Sequence, residues 1–220
     1  MPAIWFIFIN LILTYISYPL TDIYLTYNYD KYSTYDDKKK NYIKKNFIKS
    51  YVLYYLSIST IPLLPFIFLN IGDLNLLIWY IGTLYTSGDT IALFKNMKLS
   101  TTTWYHHSIT TFLSFINLFI DWKTAGILPK LMGLYTILSC YSYNVNKCLA
   151  LRFLEDEITQ KNMKKNAFIV YFLSCFINWC IHIIVFLSNI KNMSIIMGCY
   201  FLLVLVIAYD DIVLLNWLQN

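Results

Sequence analysis

The chain has 220 residues, of which 58% are hydrophobic and only 13% charged, with a net charge of +5. An ordinary soluble domain is about 45–50% apolar and about 25% charged, so apolar side chains here stand where charges normally would, as in a membrane protein. This composition excludes a disordered chain, a nucleic-acid-binding domain, a collagen and a disulfide-stapled secreted module.

A membrane-crossing helix needs about 20 mainly apolar residues rising about 1.5 Å each. Stretches of that kind run over 3–20, 51–70, 75–94, 101–120, 127–145, 167–189 and 194–209, the last with a continuation through Leu214 and Leu215 towards Trp217 left open. No positive residue precedes the first and no small-residue cleavage site follows it, so it reads as a retained helix rather than a signal peptide. The remainder is short loops and one basic segment, 21–50. The expectation is an all-α membrane protein of seven transmembrane helices, with 1–220 as a single polytopic domain.

Basic residues orient such a bundle, because they stay on the cytosolic side. Segment 21–50 carries Lys31, Lys38, Lys39, Lys40, Lys44, Lys45 and Lys49; 95–100 carries Lys95 and Lys98; 146–166 carries Lys147, Arg152, Lys161, Lys164 and Lys165. The other side holds only Lys123, Lys130 and Lys191. This split predicts a lumenal N-terminus and a cytosolic C-terminus. Trp5, Trp79, Trp104, Trp122 and Trp217 fall near span ends, where the indole favours the headgroup layer. Trp179 falls mid-span and is expected between helices.

Ionisable groups inside a span are costly and mark functional sites. Asp89 lies roughly 7 Å inside the third span, and His106 and His107 lie about 6–8 Å inside the fourth, at 1.5 Å per residue. The run Tyr141, Ser142, Tyr143, Asn144 ends the fifth span at a similar depth. Three spans thus place polar groups in one layer under the cytosolic surface. A carboxylate beside an imidazole orients it and sets its tautomer, and a histidine so held serves as base or nucleophile. His182 lies far from this layer and is expected as a packing residue. Asp210 and Asp211 are expected at a cytosolic helix end. Three histidines are too few for a di-iron site. The five cysteines suit small packing positions rather than disulfides or zinc. No metal ligand set is expected.

The segment Ser87-Gly88-Asp89-Thr90, then Lys95 to Lys98, then Thr103-Trp104-Tyr105-His106-His107, resembles the ELO family of very-long-chain fatty acid elongases. That family carries KxxExxDT, a basic stretch, HxxHH and later HxxMYxYY. The last corresponds here to Ile137-Leu138-Ser139-Cys140-Tyr141-Ser142-Tyr143-Asn144. The match covers about 80–145. Thr83, Thr86, Thr103, Ile137, Cys140 and Asn144 depart from the motifs. The resemblance implies a multi-pass protein of the endoplasmic reticulum membrane that condenses long-chain acyl-CoA with malonyl-CoA, giving 3-oxoacyl-CoA, CO₂ and CoA, without a cofactor. His106, His107, Asp89 and Tyr141 would be its catalytic residues. Thr90, Tyr143, Asn144, Lys95 and Lys98 would contact substrate. It leaves room for a homodimer and for other enzymes of the elongation cycle as partners, within membrane lipid. Two alternatives stand: an elongase relative that binds acyl lipid without the chemistry, and a small seven-helix transporter. The transporter should show a repeat between its halves with matched prolines; Pro19, Pro62, Pro65 and Pro129 show no such pairing.

Overall fold

The computed structural model describes residues 3–94 and 99–220, and all regular secondary structure among them is helical. In chain order the α-helices are α1 (Ala3–Asn28), α2 (Asp30–Ser33), α3 (Asp37–Thr60), α4 (Leu64–Leu69), α5 (Asn75–Phe94), α6 (Thr101–Asn117), α7 (Ile127–Ser139), α8 (Tyr143–Leu151), α9 (Glu157–Asn189) and α10 (Ile195–Gln219). A 3₁₀ turn, Ile61–Leu63, joins α3 to α4, and another, Cys140–Ser142, joins α7 to α8, so each pair forms one rod.

Local chemistry sets the boundaries. The side chains of Asp36, Ser100, Asp156 and Ser194 accept from the backbone N–H of Lys39, Thr103, Thr159 and Met197, capping α3, α6, α9 and α10. Each satisfies one of the orphan donors of a helix start. The Thr159 N–H bond also holds the Asp156 carboxyl below its usual range. α4 stops at Asn70, which takes the left-handed conformation at φ 52°, a geometry that asparagine tolerates at helix ends.

Two regions gain structure that the apolar stretches alone leave open. The basic segment 21–50 is mostly helix, because its apolar residues have a core of their own. Leu25, Tyr32, Ile43 and Phe47 bury against Ala150, Leu151 and Leu154. The final helix, whose end the sequence leaves open between Tyr209 and Trp217, continues to Gln219, since Leu215 and Leu218 remain on its buried face against Ala167 and Tyr171. Trp122 also departs from the headgroup expectation. It is buried, and its Nε1 donates to Asn117 Oδ1 at 2.9 Å.

Ile4–Asn28, Asp37–Leu69, Glu157–Asn192 and Ile195–Gln219 are long and apolar enough to cross a membrane. Large apolar side chains such as Trp5, Ile23, Ile184, Leu202 and Leu205 are exposed on them, an outward surface that suits lipid and not water. The molecule is a helical membrane protein.

The rods close on themselves. α3 packs on α8, α8 on α9, α9 on α10, α10 on α6, α6 on α5, and α5 returns to α3. α1 stands outside this ring against α5 and α3. Asn10 Nδ2 donates to Thr83 Oγ1 and the Thr14 hydroxyl to Ser87 Oγ, both at 2.8 Å. Such interhelical hydrogen bonds hold helices together where lipid removes the hydrophobic drive.

The α5–α6 contact depends on a missing side chain. A Cβ on Gly82 would lie 2.6 Å from Asn117 Nδ2. That amide is held in place, donating to the Ile78 carbonyl at 3.4 Å and accepting from Trp122. Gly82→Ala is therefore expected to cost about 1–3 kcal/mol, the usual range for overpacking. A lowered melting temperature in detergent would record it. Gly88→Ala is the control: its Cβ meets nothing within 4 Å, so no loss is expected.

Candidate active site

Inside the ring, every rod contributes to one buried polar belt. From α3, Lys49 Nζ lies 2.5 Å from Asp89 Oδ1 on α5. The same carboxylate oxygen is 3.0 Å from His107 Nδ1 on α6. The neighbouring His106 presents Nδ1 at 3.3 Å from Asp210 Oδ2 on α10. Asp211 accepts from the hydroxyls of Tyr135 on α7 and Tyr171 on α9, each at 2.6 Å. Asp89 is 0% exposed, and His107, Asp210 and Asp211 are buried with it. Buried charges persist only when paired and hydrogen-bonded, and this belt pairs each carboxylate with a donor from another rod.

Helical geometry separates the two imidazoles. Consecutive residues point about 100° apart on a helix of 3.6 residues per turn. The rings stand 89° to one another with centroids 5.7 Å apart. His107 turns towards α5 and His106 towards α10, so each has its own carboxylate.

The belt borders a cavity of about 1330 Å³. His106 and His107 line it, together with Lys38, Lys39, Lys45 and Arg152. Beyond lies a narrow apolar cavity walled by Ile78, Ile81, Leu113, Met132, Val204 and Ile207. Tyr85 borders both spaces. The rods run from one to the other in step: α10 passes from Val204 and Ile207 to Asp210 and Asp211, and α6 from Leu113 and Thr110 to His107 and His106.

Of the residues singled out in the sequence, Asp89, His106 and His107 come together. Thr90, about 100° round α5 from Asp89, lines neither cavity; its hydroxyl meets that of Thr111 on α6 at 3.1 Å. Tyr141, Tyr143 and Asn144 do not line the cavity; Ser139, Ser142 and Asn146 do. The 3₁₀ turn at Cys140–Ser142 is the reason. Three residues per turn eclipse positions three apart, bringing Ser139 and Ser142 onto one line, while Tyr143 packs edge-on against Tyr54 at 5.1 Å. Lys95 and Lys98 lie outside the described residues. Thr83 turns towards α1 and Thr86 towards the apolar cavity, while Ile137 is buried in its wall.

Asp210 and Asp211 are corrected by the structure. They do not end a helix at the membrane surface but lie buried, more than two turns before α10 stops. Their partners are on α6, α7 and α9, which the order of residues along the chain does not reveal. Lys49 likewise belongs to the interior rather than to a basic surface, and Lys45 is buried near it. The one readable signal was an acidic pair inside an otherwise apolar run. His182 matches its expected packing role: Nδ1 donates to the Asn178 carbonyl at 2.8 Å and Nε2 lies 3.0 Å from Tyr200 OH.

Asp89, His106 and His107 each offer a ligand atom within 4.8 Å of one another, a spacing that three ligands of one cation also show. Here the Lys49 ammonium sits on the same carboxylate and supplies its positive charge. What the site presents chemically is an imidazole at a cavity wall, braced by a carboxylate, beside fixed cations and above an apolar slot.

Compared with protein-family models, curated proteins and solved structures, the chain matches none. Fold and site define a membrane-embedded helical ring with a histidine–carboxylate belt at the boundary between a cationic cavity and an apolar one.

Proposed function

We propose that this chain is an elongase-type condensing enzyme, joining a long-chain acyl-CoA to malonyl-CoA. The observation that carries the reading is the sequence of environments along one path: cationic cavity, imidazole belt, apolar slot. A CoA thioester has the matching order: phosphates, a reactive thioester carbonyl and an acyl chain. Lys38, Lys39 and Arg152 suit the phosphates as charge-assisted donors. The slot beyond Tyr85 suits the start of the chain.

In this reading the His106 imidazole attacks the thioester carbonyl. The C–S bond breaks, leaving an acyl-imidazolium that keeps its Nδ1 proton, and CoA departs as thiolate, which takes a proton from the aqueous cavity to become the thiol. Malonyl-CoA then loses CO₂, and the resulting carbanion forms the new C–C bond with the acyl carbon, releasing imidazole and 3-oxoacyl-CoA. Covalent catalysis of this kind divides one difficult step into two easier ones. The chain would cross the endoplasmic reticulum membrane seven times, N-terminus lumenal, with the large cavity and the C-terminus on the cytosolic side where CoA esters are delivered. The excess of lysine on that side supports this orientation.

The test is elongation in membranes from cells lacking their own elongases, supplied with acyl-CoAs of graded length and labelled malonyl-CoA. The expected result is a 3-oxoacyl-CoA product that His106→Ala abolishes. A well-folded wild type that yields no product at any length refutes the condensing reading. The second reading, an acyl-lipid binder without chemistry, would then stand. It is favoured by one feature: Thr103 and Ile137 bring no further imidazole to the belt.

A further inference from the structure

We infer that Asp210 is the positioning residue of His106, holding its imidazole in one tautomer so that Nε2 faces the large cavity with a free lone pair. The geometry is specific to this ring. Asp210 Oδ2 lies 3.3 Å from His106 Nδ1, and Thr103, one turn before His106 on α6, puts its hydroxyl 3.5 Å from the other carboxylate oxygen. The carboxylate is therefore held from the same helix face that carries the ring. Asp210 is 4% exposed, and both residues border the cavity.

A carboxylate accepts but does not donate when ionised. The 3.3 Å approach is an ion-pair distance without hydrogen-bond alignment, and a carboxylate facing Nδ1 at that distance favours the ring proton there and leaves Nε2 unprotonated. That is the same logic by which a buried carboxylate sets the tautomer of a catalytic histidine in hydrolases. His107 is placed differently: both of its ring nitrogens are buried without a hydrogen-bond partner, and its Nδ1 lies 3.0 Å from Asp89 Oδ1. The two histidines thus divide the work. His107 ties α6 to α5, and His106, backed by Asp210, is the ring whose nitrogen is open to a ligand. The structural content of this inference stands by itself; its catalytic consequence rests on the condensing reading.

The chain has three histidines, so ¹⁵N-histidine labelling of the whole protein in nanodiscs gives a spectrum of six ring nitrogens, with His106→Gln identifying the pair to be read. The expected wild-type result at neutral pH is His106 protonated at Nδ1 and unprotonated at Nε2. In Asp210→Asn the amide N–H can face Nδ1, and the proton should move to Nε2; in Asp210→Ala the two tautomers should mix. His182, held by Asn178 and Tyr200, is the internal control for folding and should keep its shifts in every sample. A wild-type His106 protonated at Nε2 overturns the inference without any variant. So does a His106 spectrum that Asp210→Asn and Asp210→Ala leave unchanged. In the elongation assay, Asp210→Asn is expected to lower kcat about 100-fold or more, in the range of lost acid–base function, with KM little altered. An unchanged kcat overturns the inference as well. The predicted tautomer in a wild type that makes no product sustains the positioning role and refutes the condensing reading, so the two failures are distinguishable.

Discussion

Asp89→Ala is expected to cost about 3–5 kcal/mol, the usual penalty for removing one partner of a buried ion pair. The Lys49 side chain is only 12% exposed and Asp89 is fully buried. Deleting the carboxylate leaves a largely buried ammonium without its partner, and it removes the group facing His107 Nδ1. The cost comes mainly from the partner left behind, so it should largely vanish when both charges go. Lys49→Met combined with Asp89→Leu is expected to melt much closer to wild type than Asp89→Ala alone. Thermal unfolding in detergent of the wild type, Lys49→Met, Asp89→Leu and the double variant, treated as a double-mutant cycle, measures this. Additive losses from the two sites would show that they act independently and would sink the argument.

Asp211→Ala should be similarly damaging for a different reason. Its carboxylate accepts from two phenols on two other rods, Tyr135 and Tyr171. Truncation leaves both hydroxyls buried without an acceptor. An unsatisfied buried donor costs about 1–3 kcal/mol, so a loss of about 2–6 kcal/mol is expected. The triple variant Tyr135→Phe, Tyr171→Phe, Asp211→Leu removes donors and acceptor together. It should be markedly more stable than Asp211→Ala, since an apolar replacement of a complete network is often near neutral. A triple variant less stable than the single one would mean that packing volume, rather than hydrogen bonding, decides stability here.

The two predictions together concern how the ring closes. Lys49–Asp89 joins α3 to α5, and Asp89–His107 joins α5 to α6. His106–Asp210 joins α6 to α10, and Asp211 joins α10 to α7 and α9. The belt that brings His106 to the cavity wall is also a tie between all the rods of the ring. Stability and site geometry are therefore not separable there, and loss of activity in a belt variant must be read beside its melting curve.

Much of this was legible along the chain. Composition determined the membrane solvent, because a spanning helix must be apolar over about 20 residues. The depths of Asp89, His106 and His107 within their apolar runs placed three ionisable groups in one layer. What the chain alone could not supply was direction and partnership. Whether Tyr141 or Ser142 faces inward depends on a local tightening to 3₁₀ geometry, which shifts the phase of everything after it. Asp210 and Asp211 looked like a helix end because exposure of an acidic pair is the ordinary outcome; only the opposing α6, α7 and α9 give them hydrogen-bonding partners and make burial possible. The pairs that build the belt are separated by 40 residues for Lys49 and Asp89 and by 76 for Tyr135 and Asp211. Apolar periodicity is a local property and the sequence carries it openly. The pairing of buried charges is settled by which rods become neighbours, and that is decided only when the ring closes.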